Sequence, residues 1–554
     1  MNVRDGRKVE CRGLARVWMT LALIIVTAAL GSAVACASGN PLVVRVAGGQ
    51  VRGRVAHGVL AFEGIPYAAP PVGMLRWAPP QPVIPWKGVR PALTYGHDCM
   101  QVLFPGDAAP ERTVPKENCL YVNVWRPKGS SAHNLPVMVW IYGGGFVNGG
   151  TSPAVYNGSE FARDGVVLVS FNYRLGNFGF FAFPALTRAD RGRMLGDYAF
   201  MDQLAALKWV QRNIRAFGGN PHNVTIFGES AGGMSVNNLL ISPLAKGLFQ
   251  RAIVESGGGG PGFAGRPLEG SPHSAQAMGV KLARHFGIDG QGASALARLR
   301  ALPASQLVDG LNMGTMMENH TYVGGPILYE QLYMGAPTDV YAKYPQIGSH
   351  VPVMIGANSA DLGFLRAKTV QGLFALFGPK AAEARAAFDP SGRLTVQQAA
   401  WLVGGAFMMV EPARAIARDL SARGQPVYEY RFSYVATSIR KTPFGSLGAM
   451  HASEIPYVFD TVRAHYGQNT SAQDEQVARQ MHAYWVAFAK TGRPDPRGLP
   501  AWPQYHRGTD RLMNFTGGGP IAQADPWRTR LNLAEWYLDR EAALRRGHST
   551  AATH

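Results

Sequence analysis

Gly228-Glu229-Ser230-Ala231-Gly232 places a serine between small residues, after the strand-like run 223–227 and before the helix-forming run 234–240. A strand, a tight turn and a helix in that order lift a serine hydroxyl off a sheet edge, because flanking glycines relieve the backbone crowding. The first N–H groups of the following helix then face whatever the serine attacks. A serine hydroxyl is a weak nucleophile at neutral pH and needs a base, which in turn needs an orienting carboxylate. His451, in Gly448-Ala449-Met450-His451-Ala452-Ser453-Glu454, is the candidate base, while His465 and His482 read as surface residues. Asp361, a short loop beyond the apolar run 351–355, is the candidate acid, and Glu330 is the fallback. Attack on a carbonyl also generates an oxyanion. Tyr142-Gly143-Gly144-Gly145-Phe146 offers side-chain-free amides after the run 136–141. The N–H groups of Gly144, Gly145 and Ala231 are the candidate donors to that charge. Glu229 reads equally as an electrostatic tuner of the serine and as a buried spacer. The chemistry implied is acyl transfer through serine, with no metal or organic cofactor.

Elements that could position these groups are visible along the chain. The stretches 42–46 and 51–53 look like a hairpin. Residues 120–125 alternate in polarity, and the runs 136–142 and 166–170 are continuously apolar, as suits strands covered on both faces. A helix is predicted over 202–217, stopped by Gly218-Gly219. Strands follow at 223–227, 251–254, 351–355 and 427–431, with the loop- and helix-rich stretch 260–345 as an insertion over the sheet. Strand and helix alternate, which argues one large α/β sheet rather than separate modules.

The chain has 554 residues, 47% of them apolar and 16% charged, which excludes global disorder. Its formal charge is +18, but Arg is scattered, with no dense basic run and no helix-turn-helix or zinc-finger spacing, so a nucleic-acid partner is not expected. Arg4, Arg7, Lys8, Arg12 and Arg16, the apolar stretch 17–30 and Ala33-Val34-Ala35 read as a signal peptide over 1–35, giving a secreted or periplasmic protein. That stretch is short for a membrane span. Cys36 behind it is the alternative, a lipid-anchoring site. Cys99 and Cys119 read as a disulfide or as two buried thiols. No CxxC or HExxH is present, so no metal site is expected. Gly257, Gly259 and Gly262 match GxGxxG by letter only, since no helix opens there.

From about residue 44 to about residue 515 the chain resembles the type-B carboxylesterase/cholinesterase family of the α/β-hydrolase fold. The resemblance rests on Arg76-Trp77-Ala78-Pro79-Pro80, Glu117-Asn118-Cys119-Leu120-Tyr121-Val122-Asn123-Val124, Trp140-Ile141-Tyr142-Gly143-Gly144-Gly145-Phe146, Asn172-Tyr173-Arg174-Leu175-Gly176, the serine motif continued to Gly233, and 484–492. It implies a large, mostly parallel central sheet flanked by helices, with helical insertions over the active-site edge, in one domain spanning 36–546 before a disordered tail at 547–554. It also implies an exported serine carboxylesterase working through an acyl-enzyme on small-molecule esters, with Ser230 as nucleophile, His451 as base and Gly144, Gly145 and Ala231 as oxyanion donors. A Cys99–Cys119 bridge and an Arg76–Glu117 ion pair are implied as well. A lipase of the same family and a non-catalytic adhesion relative are the alternatives, and the latter typically lacks the nucleophile. The chain departs from the family pattern in three places. Asp361 replaces the usual Glu, Asn118 replaces an Asp, and Tyr142 stands where some members carry His. The absence of Trp from residues 100–118 leaves choline esters without support.

Overall fold

The computed structural model describes residues 40–129, 133–189, 195–329 and 331–551. The expected signal segment 1–35, Cys36 and Glu330 lie outside the described residues. Eleven strands among those described form one sheet: β1 (Arg54–Ala56), β2 (Val59–Pro66), β3 (Tyr121–Arg126), β4 (Leu135–Ile141), β5 (Val167–Phe171), β6 (Gly219–Glu229), β7 (Arg251–Glu255), β8 (Val353–Asn358), β9 (Val427–Phe432), β10 (Arg511–Thr516) and β11 (Gly519–Ala524). Their spatial order is β11-β10-β9-β8-β7-β6-β4-β5-β3-β2-β1. The seven strands from β10 to β5 run parallel. Antiparallel strands close both ends, β11 on one side and β3, β2 and β1 on the other. The hairpin Val43–Val46 with Gly49–Arg52 pairs instead with Val89–Pro91 in a small separate sheet.

Central strands are apolar without alternation because helices cover both faces. Every residue from Val137 to Ile141 and from Val167 to Phe171 is buried. The helix Ala472–Thr491 packs across β4 and β6, and its Trp485 ring meets Tyr430, Trp502 and Phe515. His482, expected at the surface, is buried on that same helix, its ring against Phe161 and its Nδ1 2.8 Å from the Val458 carbonyl. It shares the inward face with Met481 and Trp485; the carbonyl takes its Nδ1, and its Nε2 lies 3.4 Å from Asp164 Oδ2. His465 is exposed.

The sequence places the first long helix four residues late. It spans Tyr198–Asn213, and residues 214–217 tighten into a 3₁₀ turn that Gly218 ends at φ 82°. The insertion expected over 260–345 is present, with helices Ala275–His285, Ala293–Ala301, Ala304–Leu307 and Pro337–Lys343 between β7 and β8. A second helical excursion, between β8 and β9, was not expected. There Val370–Phe374, Ala381–Phe388 and Val396–Gly405 enclose a core of their own with the C-terminal helix Arg528–Ala551, while Glu411–Ala422 buries its apolar face in the main core. The helix-forming run Glu541-Ala542-Ala543-Leu544-Arg545-Arg546 carries the C-terminal helix on to Ala551.

Cys99 and Cys119 are joined, closing a loop of 20-residue separation. Arg76 clamps its end through two bonds to Glu117, Nε to Oε1 at 2.5 Å and Nη2 to Oε2 at 2.7 Å. Strand register sets the functional edge. Ile141 pairs with Gly228, Glu229 with Glu255, and Glu255 with Gly356, so the loops leaving β4, β6, β7 and β8 emerge side by side.

Candidate active site

Ser230 is the residue between β6 and the helix Ala231–Ile241, at φ 55° and ψ −122°. An L-residue holds that strained conformation only where its surroundings over-determine it. Here its N–H donates to the Glu255 carbonyl at 3.0 Å and its carbonyl accepts from Met234 N–H at 2.8 Å. Neighbouring positions have no room for a side chain. A Cβ on Gly228 would lie 2.6 Å from the Ile141 carbonyl oxygen, and one on Gly232 would overlap that same oxygen. A Cβ on Gly143 would lie 3.0 Å from the Ser230 Cβ, so the glycine loop runs directly beside the serine. That loop turns through positive φ at Gly144 (99°), Gly145 (62°) and Phe146 (62°). Among the described residues, the N–H groups of Gly144, Gly145 and Ala231 donate to no other protein group.

Tyr142, at the foot of the loop, is structural. Its ring stacks on Tyr173 with centroids 4.4 Å apart, and each hydroxyl donates to the other residue's carbonyl.

The structure brings the sequence-predicted serine, histidine and aspartate together. His451 Nε2 lies 2.9 Å from Ser230 Oγ, and its Nδ1 lies 2.6 Å from Asp361 Oδ1. The acid and histidine loops are stitched to each other. Ala360 N–H donates to the Ala449 carbonyl at 2.8 Å, Ala449 N–H to Ser359 Oγ at 2.9 Å, and Asn358 Nδ2 to the Met450 carbonyl at 2.7 Å. Asp361 accepts from three further donors: Ser256 Oγ at 2.7 Å, Asn358 N–H at 2.8 Å and Leu362 N–H at 2.7 Å.

Sequence reasoning missed Ser256, Asn358 and Glu454, which holds Asn358 Nδ2 through its Oε2. Their one sequence signal was position, since Ser256 directly follows β7 and Glu454 lies three residues past His451.

Three buried carboxyls, Glu229, Asp361 and Glu454, act on the imidazole, with Glu255 behind them on Trp485 Nε1, and their environments separate them. Burial pushes Glu229 and Glu255 well above the ordinary carboxyl range and lifts Glu454 to about 7. Burial acts on Asp361 too, but the His451 charge and the hydrogen-bond donors outweigh it and hold this carboxyl below its usual value. Asp361 is therefore the ionised one, suited to orient an imidazole and stabilise its charged form. For His451, burial lowers the pKa, while Glu229 and then Asp361 raise it and prevail. Glu229 Oε1 sits 3.2 Å from His451 Nε2. The Glu229 charge is the largest of the upward influences on His451. In Glu229→Gln the imidazolium loses a neighbouring carboxylate. Its pKa then falls and the base form persists to lower pH. The acid limb of the kcat/KM–pH profile is expected to move down by about one unit or more, and an unmoved or raised limb would refute this role for Glu229.

Among the described residues no three His, Cys, Asp or Glu side chains group as a metal site. No described helix is long and apolar enough to cross a membrane. A mixed-charge cleft of about 1040 Å³, lined by residues including Arg54, Glu63, Arg112 and Arg463, contains none of the three residues of the relay.

A parallel sheet whose carboxyl edge presents serine, acid and histidine in that chain order is the architecture of the α/β hydrolases. Within that class, the chain belongs to the carboxylesterase family, whose sequence model matches residues 40–386 and 393–524. It is an enzyme acting on carboxylic esters. It is 36% identical over 501 residues to the fumonisin B1 esterase of Sphingopyxis macrogoltabida, covering 87% of this chain and 88% of that one. With the para-nitrobenzyl esterase of Bacillus subtilis (strain 168) it shares 35% identity over 486 residues, 84% of this chain and 93% of the other. A solved structure of PNB esterase superposes with a TM-score of 0.74 at 32% identity, covering 89% of this chain and 99% of that chain.

Proposed function

We propose that Ser230 is the nucleophile, His451 the general base and then acid, Asp361 the orienting carboxylate, and the N–H groups of Gly144, Gly145 and Ala231 the oxyanion donors. The continuous relay from Asp361 through His451 to Ser230 Oγ, 2.6 and 2.9 Å per step, carries this reading. Ser230 Oγ attacks the ester carbonyl while His451 Nε2 takes its proton. The tetrahedral oxyanion is held by the amides, and the C–O bond to the alcohol breaks as His451 returns the proton to it. Water then attacks the acyl carbon and loses a proton to His451, which returns it to Ser230 Oγ as the acyl–oxygen bond breaks and the acid leaves.

The substrate proposed is a dissolved ester with an apolar acyl or alcohol part. Two features support it. Met313 and Met316 lie against Gly145 beside the serine, and the relatives include an acylcarnitine hydrolase of Mus musculus and a cocaine esterase of Homo sapiens, whose names carry esters of different alcohols. A p-nitrophenyl ester series from acetate to palmitate tests it. The expected result is highest kcat/KM on soluble short and medium chains. A rate jump above the solubility limit of a triglyceride would instead establish an interfacial lipase. In the same reading the 1–35 leader delivers the enzyme outside the cytoplasm, which the N-terminal mass of the exported chain checks.

A further inference from the structure

The glycine loop has a mechanical problem. Residues 143–145 have no side chains to anchor them, and three successive positive φ values must be held against relaxation. Each oxyanion donor works only if it is aimed at where the charge develops. The anchor lies just beyond the loop, at Asn148, which is fully buried. Its backbone N–H donates to the Gly144 carbonyl at 2.9 Å. Its side-chain Nδ2 donates twice, to Gln101 Oε1 at 3.0 Å and to the Val102 carbonyl at 2.8 Å. Its Oδ1 accepts from Met313 N–H at 2.8 Å.

Gln101 is itself buried and doubly engaged. Its Oε1 also accepts from Gly149 N–H at 3.0 Å, and its Nε2 donates to the carbonyls of Gly149 at 2.7 Å and Cys99 at 3.0 Å. Three segments distant in sequence thus meet on one amide: the glycine loop, the disulfide loop beginning at Cys99, and the insertion between β7 and β8. The insertion arm ends at the site, since Met316 Sδ lies 3.2 Å from where a Cβ on Gly145 would stand.

We propose that Asn148, clamped by Gln101, is a positioning residue that aims the Gly144 and Gly145 amides and fixes the Met313–Met316 segment across the same opening. This rests on the serine-esterase reading above. Both donor hydrogens of the amide are used, so a carboxylate of the same shape cannot replace it. Aspartate would accept from Met313 N–H but would turn two acceptors, Gln101 Oε1 and the Val102 carbonyl, against its own oxygen.

The test compares Asn148→Ala, Asn148→Asp and Gln101→Leu with the unmodified enzyme, counting active sites by fluorophosphonate titration. The expected result is a kcat per titrated site lower by about 10- to 100-fold in all three, with KM for p-nitrophenyl acetate little changed. The inhibition constant of a trifluoromethyl ketone, whose adduct presents an oxyanion, should weaken by the same factor. A merely structural role would reduce the number of titratable sites while leaving kcat per site and ketone affinity intact, and that result overturns the proposal. If Asn148→Ala does not fold, Gln101→Leu decides by the same readouts, because it leaves the loop's own sequence untouched. Failure of the serine reading would look different, as turnover surviving in Ser230→Ala.

Discussion

Replacing Ser230 with alanine is expected to lower kcat by about 10⁵- to 10⁶-fold and to abolish labelling by a fluorophosphonate. The loss is that large because in the proposed mechanism Oγ is the bond-forming atom, so neither His451 nor Asp361 has a partner to activate once it is gone. Some rate above water should persist, since the amides of Gly144, Gly145 and Ala231 still meet a carbonyl oxygen. Misfolding does not mimic the result. Among the described residues the Ser230 side chain bonds only to His451, while its backbone bonds to Glu255 and Met234 survive the change. Ser230→Gly provides an internal control. It should be equally inactive yet melt at a higher temperature, because glycine relieves the φ of 55° that the serine is forced to keep. Turnover in either variant near that of the parent enzyme would refute Ser230 as nucleophile.

How much of this was legible in the sequence follows from the range of the forces involved. Central strands announce themselves because both faces are covered, so residues 137–141 and 167–169 are apolar without interruption. The serine turn and the glycine loop are equally local. Each needs small residues at fixed spacing, and the would-be Cβ contacts of Gly228 and Gly143 show the reason. Asp361 and His451 could be named from chain order and post-strand position, but nothing local shows that their loops are stitched through Ser359, Ala360 and Ala449. Ser256 and Glu454 carry ordinary polar signatures, and their parts depend on strand register and loop packing, which join residues about a hundred positions apart. His482 misled for a related reason. Polar neighbours in sequence suggest exposure, yet a helix turns each residue to its own side, and this one faces Phe161. The excursion between β8 and β9 escaped because its helices bury their faces on one another and on the C-terminal helix, so no single segment shows the core they make together.

Asp361→Asn is expected to cost about 10⁴-fold in kcat, with KM little altered. The hydrogen-bond census of this carboxylate explains why an isosteric amide fails. All four of its partners donate: His451 Nδ1 and Leu362 N–H to Oδ1, Ser256 Oγ and Asn358 N–H to Oδ2. An amide has one oxygen, so its NH₂ group must face donors whichever way it turns. Toward His451 it forces the imidazole proton onto Nε2, the atom that must be free to receive the proton of Ser230. Toward Asn358 it meets a backbone N–H that cannot reverse its role. Asp361→Glu, though it restores the residue usual in the family, is not expected to recover full activity. The site is built around the shorter stem. Gly405 packs so closely that a Cβ there would lie 2.5 Å from the Asp361 carbonyl oxygen, and the Ala360–Ala449 bond ties the loop on its other side. An added methylene therefore displaces the carboxylate rather than the backbone, and a displacement near 1 Å costs about 100-fold. Measured kcat for the aspartate, glutamate and asparagine forms should fall in that order, and equal rates for aspartate and asparagine would remove Asp361 from the relay.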